Sequence, residues 1–152
     1  AALEDAGARY VDLAGSGGTN WAQVESYRLE PEEGAAAREF GAWGMSTALI
    51  LATIGREVSG ILASGGIRSG MDVVRAVALG AEAAGTALPF IRAVSAGGVE
   101  AAVGYGRQVE KVVRTAMLLT GSRRVTDLRK APLWFSRSLK EDAAAVAEAE
   151  GK

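Results

Sequence analysis

Cysteine and histidine are both absent from the 152-residue chain. The first absence excludes disulfides, thiolate metal sites and thiol nucleophiles, and leaves the compartment unreadable from redox chemistry. The second removes the commonest general base and the commonest metal ligand, so proton transfer here needs a carboxylate, a lysine, a tyrosine or a cofactor. An excess of charge of one sign is also lacking: Lys and Arg number 17 against 18 Asp and Glu, a formal net charge of −1. That balance predicts no nucleic-acid or anionic-membrane footprint over the whole surface, and any anion site must be local. No apolar run approaches the roughly 18 to 20 residues of a membrane span, and the first residues lack the basic and apolar regions of a signal peptide. The expectation is a soluble, cytoplasmic protein with no membrane partner.

What is present suits one folded core: 49% of the residues are hydrophobic and 23% charged. The opening stretch AALEDAGARYVDLAGSGG carries no initiator methionine and reads as the interior of a longer sequence. The pattern predicts a helix ending near Gly7, a strand over Arg9 to Ala14, and a long glycine-bearing polar loop from Gly15 to about Gly41. A helix over Ser46 to Ile54 and a strand over Gly60 to Ser64 follow. Ser69 and Asp72 are spaced as in a capping box, so the next helix starts at about Gly70; its apolar face is Val73, Val74, Val77 and Ala78, and it ends before Gly80. A weak strand over Ala83 to Ala87 closes at Pro89. A long helix from Val99 to Leu119 then places Val99, Ala102, Val103, Val109, Val113, Ala116 and Met117 inside, sets Glu110 beside Arg114, and stops at Gly121.

Short apolar strands alternating with helices predict a parallel sheet covered by helices. Three strands leave two long unpaired edges, whereas a closed barrel of this type takes eight strands and about 250 residues. The chain therefore reads either as a fragment or as a protein that needs a partner chain to cover its edges.

Two loops carry the chemistry. In LASGGIRSGMDVVRAVALGA, a glycine pair between strand and helix lets the backbone turn tightly and present N–H groups at a helix N-terminus, where an anion is favoured, and Arg68 adds a full charge. A plain strand-to-helix turn with a solvated arginine would give the same letters. EAAGTALPF, after the next strand, supplies a second loop, and phosphate sites in barrels of this type are commonly built from the loops after strands seven and eight. In VDLAGSGGTNW, Gly15, Gly17 and Gly18 allow close approach to a flat ligand; Thr19 offers a hydroxyl, Asn20 an amide and Trp21 an aromatic face. That combination fits a phosphate-bearing aromatic cofactor, or a loop whose tryptophan simply packs.

VDLAGSGGTNWAQVE, FGAWGMSTA, LASGGIRSGMDVVRAVALGA and VEKVVRTAMLLTGSRRVTDLR follow one another as in the flavin-dependent, type 2 isopentenyl diphosphate isomerases, and the chain resembles the C-terminal half of that family from about Arg9 to Pro132. The resemblance implies the C-terminal portion of a (β/α)8 TIM barrel, strands six to eight with their helices, over residues 1–133, with residues 134–152 a tail that is a marginal helix or disordered. It implies isomerisation of isopentenyl diphosphate to dimethylallyl diphosphate with reduced FMN, NADPH as reductant, Mg2+, and a homo-oligomer. By position, Thr19 and Ala14 would contact the flavin. Gly66, Ile67 and Arg68 would hold the FMN phosphate with Ala87 and Leu88, Gly65 would permit the approach, and Trp21 would line the substrate side.

The sequence also departs from that pattern. Ala14 stands where many relatives carry serine, and Leu88 where an arginine is frequent. The family's flavin-contacting lysine, its glycine-rich loop near the ring, its substrate glutamine and its metal-binding glutamate belong to an N-terminal half that this chain does not contain. No catalytic residue or metal ligand is expected here, and the fragment alone is expected to be inactive. Reduced flavin acting as acid and base would make the missing histidine and cysteine tolerable. Of the titratable groups near the active face, Asp12 reads as structural or helix-facing, and Glu25 and Tyr27 as lying on a mobile outer loop. Other flavin barrels share the two-loop phosphate site. However, the 2-hydroxy acid oxidases carry a histidine where this chain reads GSGGTNW, and nucleotide dehydrogenases need a catalytic cysteine. The remaining alternative is a half-barrel that is inactive or works only with a partner. The segment after Pro132 leaves the family pattern, with Trp134 and Phe135 expected to anchor its start.

Overall fold

The computed structural model of the chain describes residues 2–55, 58 and 60–149. Three short strands, β1 (Val11–Ala14), β2 (Ile61–Ser64) and β3 (Ala83–Ala84), form a parallel sheet in the order β1-β2-β3. Val11 pairs with Ile61, Ala14 with Ser64, and Leu62 with Ala83. Parallel neighbours need crossover connections, and helices supply them. A short α1 (Ala2–Asp5) precedes β1. Between β1 and β2 come α2 (Trp21–Ser26), α3 (Pro31–Glu39) and α4 (Thr47–Ile54), and between β2 and β3 comes α5 (Gly70–Ala78). Beyond β3 lie α6 (Leu88–Leu119) and α7 (Arg137–Ala149).

Alternation along the strands divides the sheet into two sides. On one side, Ile61, Ala63, Leu13 and Ala84 meet Leu51 of α4 and Ala76 and Leu79 from α5 and its C-terminus, closing a core with Ile67 and Ala81. Leu51 and Ile61 are fully buried, and each such side chain contributes about 1.5–3 kcal/mol. A second cluster joins Val74 and Val77 of α5 to Leu128 of a 3₁₀ helix, Val125–Lys130, with Val113, Ala116 and Met117 of α6 against it. On the other side of the sheet Asp12 and Ala14 are exposed.

The helix starts follow their caps. Ser46 accepts from the Leu49 N–H at 3.2 Å and begins α4; Ser69 accepts from the Asp72 N–H at 3.3 Å and begins α5. Gly121, at φ +66, follows α6 as expected, and Arg114 pairs with Glu110 at 2.8 Å.

Several expectations need correction. The supposed loop from Gly15 to Gly41 contains α2 and α3: Asn20 caps α2 by accepting from the Gln23 N–H at 2.9 Å, and Pro31 opens α3. Glu25 therefore sits in a helix and Tyr27 at its C-terminus, not on an irregular loop. Asp12 does not face the helices; it lies on the exposed side and accepts from the Ser64 hydroxyl at 3.0 Å. β3 ends at Ala84, and Pro89 stands in the first turn of α6, where its missing N–H and fixed φ are tolerated. Non-helical backbone at Gly97 and Gly98 divides α6 into two segments: the second starts at about Val99, as expected, and the first, opening at Leu88, is an additional helix ahead of it. Val99 is 74% and Val103 47% exposed, so the inner face of this helix starts further along. Leu133 and Phe135 pack on the main core ahead of α7, whereas Trp134 is 85% exposed and anchors nothing. No described helix is long and apolar enough to cross a membrane.

Candidate functional site at the strand ends

The strands run parallel, so the loops that follow Ala14, Ser64 and Ala84 emerge from the same edge of the sheet. The first two meet backbone to backbone. Gly65 and Gly66 take φ of +75 and +82, values that side chains other than glycine rarely adopt. A Cβ on Gly65 would stand 2.6 Å from the Gly15 carbonyl oxygen, and one on Gly18 would stand 2.8 Å from the Gly65 Cα. The loops touch because neither has a side chain there.

Polar links hold this contact from three elements. Thr47, the first residue of α4 and only 6% exposed, accepts from the Gly15 N–H at 3.0 Å. The same hydroxyl lies 2.7 Å from both the Ser64 and Gly65 carbonyls. The Arg68 guanidinium donates to the Gly17 carbonyl at 2.8 Å. From the third loop, the Thr86 hydroxyl donates to the Ile67 carbonyl at 2.7 Å, which brings the start of α6 beside the glycine pair. Tyr105, in the second segment of α6, donates to the Arg68 carbonyl at 3.1 Å. Phe90 of the first segment meets Tyr105 edge-on at 4.8 Å, an arrangement the break at Gly97 and Gly98 permits.

Asp72 fastens the far side of the turn, accepting from the Arg68 N–H at 3.1 Å and the Ser69 hydroxyl at 2.9 Å, with Arg75 at 3.2 Å. Partial burial works to raise its carboxyl. The hydrogen bonds from Ser69 and Arg68 and the Arg75 charge together outweigh burial and hold it below the ordinary aspartate value.

Polar capacity remains at the centre. Among the described residues no protein group accepts from the Gly66 or Ile67 backbone N–H. Ala87, at the N-cap of α6, makes no side-chain cap, so that helix start keeps unsatisfied N–H groups and its partial positive charge. Free N–H groups, a helix start and the exposed Arg68 form an anion-binding arrangement of the kind that takes phosphate.

The residues expected from sequence divide accordingly. Gly65, Gly66, Ile67 and Arg68 form one turn, and Thr86 ties Ala87 and Leu88 close to it; Ala87 and Leu88 offer backbone only. Ala14 ends β1 on the exposed side beside Ser64 and brings no hydrogen-bonding side chain. Thr19 is exposed, just past the point where Gly18 abuts Gly65. The Asn20 amide is committed: its Oδ1 caps α2 and its Nδ2 donates to the Gly41 carbonyl at 2.9 Å. Trp21 opens α2 with its ring 76% exposed. Sequence reasoning missed Thr47, Thr86 and Tyr105; a hydroxyl at a helix start or within a helix shows nothing in the sequence of the distant carbonyl it reaches. No cluster of three His, Cys, Asp or Glu among the described residues could hold a metal ion.

Glycine loops meeting at the ends of parallel strands are the geometry against which the comparison with known proteins is set. The profile of FMN-dependent dehydrogenases matches residues 37–135, and the chain belongs to that family. Within it, the chain is similar to isopentenyl-diphosphate delta-isomerases of archaea. The protein of that name from Methanothrix thermoacetophila is 39% identical over 143 residues, covering 91% of this chain and 40% of the relative. Its counterpart from Aeropyrum pernix is 40% identical over 151 residues, 95% of this chain and 40% of the relative. That from Methanothermobacter thermautotrophicus is 42% identical over 139 residues, 86% of this chain and 37% of the relative. The chain spans about two fifths of the length of these curated relatives.

Proposed function

We propose that this chain supplies the phosphate end and part of the ring surface of an FMN site in an isopentenyl-diphosphate isomerase, acting on isopentenyl and dimethylallyl diphosphate. The observation that carries this reading is the turn at Gly65–Arg68. There two unpaired N–H groups, an uncapped helix start and an exposed arginine meet in a chain whose relatives bear that name. The residues fit the cofactor: a dianionic phosphate would accept from the Gly66, Ile67 and Leu88 N–H groups, with Ala87 shaping the helix start and Arg68 adding charge beside them. Gly65 keeps the backbone bare, Ala14 and Thr19 would contact the flavin, and Trp21 is the candidate wall on the substrate side. Bound in reduced form, FMN supplies the proton donor and acceptor that shift the double bond. The chain's own part is to hold and orient it.

NADPH as reductant, Mg2+ on the diphosphate, a cytoplasmic homo-oligomer, and a barrel whose other strands come from outside residues 1–133 complete the proposal. The exposed Asp12 side of the sheet and its two unpaired edges favour a chain that works only when those strands are present. The test is to titrate FMN into the chain alone and into the chain supplied in trans with the region of the Methanothrix relative that precedes the matched part. Flavin absorbance and conversion of isopentenyl diphosphate are then followed. Both are expected only with the added region. Failure of both, while the whole relative is active in the same assay, would overturn the reading.

A further inference from the structure

We propose that Thr47 is a positioning residue for the FMN site: its hydroxyl sets the spacing between the loop after β1, which faces the flavin ring, and the loop after β2, which faces the phosphate. This inference rests on the FMN reading above. Thr47 belongs to neither loop; it opens α4, which packs on the covered side of the sheet. From there one oxygen accepts from the Gly15 N–H and offers a single proton to two carbonyls at equal distance, Ser64 and Gly65. A hydroxyl has one donor and two acceptor positions, so this one links both loops at once.

Two features make the hydroxyl hard to replace. Thr47 is buried, so water has little access to take over its bonds, and an orphaned Gly15 N–H would bear the full desolvation cost. Gly15 also approaches so closely that a Cβ there would collide with the Thr47 backbone, leaving room for nothing longer between them. The register of Thr47 is itself set by backbone: Ser16 bridges Ser46, and the Ser16 N–H donates to the Met45 carbonyl at 2.8 Å.

A ligand that spans both loops depends on their spacing, and one that touches a single loop does not. FMN reaches from ring to phosphate, whereas riboflavin lacks the phosphate. Thr47 should therefore set the ratio of FMN to riboflavin affinity rather than affinity for the ring alone.

The experiment measures that ratio by flavin fluorescence for the parent chain, Thr47→Val and Thr47→Ser, each with the remaining barrel region supplied in trans. The ratio is expected to fall about tenfold in Thr47→Val and to stay near the parent value in Thr47→Ser. If Thr47→Val does not fold, Thr47→Cys, of similar volume but a weak donor and acceptor, gives the deciding value: a reduced ratio upholds the role and an unchanged one overturns it. A parent that prefers FMN while Thr47→Val keeps the same ratio overturns the inference alone, as does a Thr47→Ser chain that loses as much as Thr47→Val. A parent without any preference for FMN overturns the FMN reading and this inference with it.

Discussion

Replacing Gly65 and Gly66 separately by alanine asks whether the glycine turn is shaped by steric contact or only by backbone conformation. Both residues lie at positive φ, +75 and +82. Left-handed backbone costs a residue with a Cβ about 1–2 kcal/mol. Their surroundings differ. A methyl on Gly65 would face the Gly15 oxygen at 2.6 Å and the Gly15 nitrogen at 3.1 Å, backbone atoms that cannot rotate away. A methyl on Gly66 would meet nothing closer than the Gly17 Cα at 3.7 Å, an ordinary contact. Overpacking of that kind adds about 1–3 kcal/mol, so Gly65→Ala should lose about 2–5 kcal/mol and Gly66→Ala about 1–2 kcal/mol. Urea unfolding followed by circular dichroism measures both, provided the slope is unchanged between variants. The order should reverse for FMN: Gly66→Ala sets a methyl beside the free N–H groups and should weaken FMN the more of the two, relative to the folded fraction. A Gly66→Ala chain as unstable as Gly65→Ala, or more so, would refute the steric reasoning.

Removing the guanidinium in Arg68→Ala breaks its bond to the Gly17 carbonyl and takes a charge from the proposed phosphate; FMN affinity should fall about tenfold or more, while an unchanged dissociation constant would exclude Arg68 from the site. Leu128 is buried between α5 and α6, and Leu128→Ala should cost about 2–5 kcal/mol in urea unfolding; a loss under half a kilocalorie would mean that the 3₁₀ helix does not pin those helices. Because the Asp72 carboxyl lies below its ordinary value when folded, its contribution is complete above an unfolded aspartate pKa of about 3.9 and is lost as pH falls through the lower, folded value. The protection of the Arg68 amide, its exchange rate relative to the intrinsic rate at the same pH, should therefore hold from neutrality down to that acid range and be lost only within it, and a loss of protection near neutrality would contradict the assignment.

Local signals were legible where cap, period and glycine coincide. Ser69 marks the start of its helix to the residue, Ser46 marks its own within one residue, as the cap and not the first helical position, and the glycine pair at Gly65 marks the turn on which the candidate site is built. Asn20 and Pro31 are equally good start signals, yet they stand among glycines and polar residues whose composition reads as loop. At Pro89 the same residue type can end a strand or open a helix, and only the tertiary position of the turn before α6 decides. Alternation shows that Asp12 and Leu13 point to opposite sides of β1 but not which side the helices cover; Leu13 turned out to be the core residue. The family pattern pointed to the residues around the proposed ligand. The hydroxyls of Thr47, Thr86 and Tyr105, which bring the loops together, act across long sequence separations and leave no local pattern.

The most direct test of the FMN site compares amide correlation spectra of the chain, with the remaining barrel region supplied, on adding FMN and on adding riboflavin. The expected result is that the Gly66, Ile67 and Leu88 amides shift with FMN and stay in place with riboflavin, while residues of the loop after β1 respond to both. Equal shifts at those three amides with both ligands, or no shift there with FMN, would contradict a phosphate held at the Gly65–Arg68 turn.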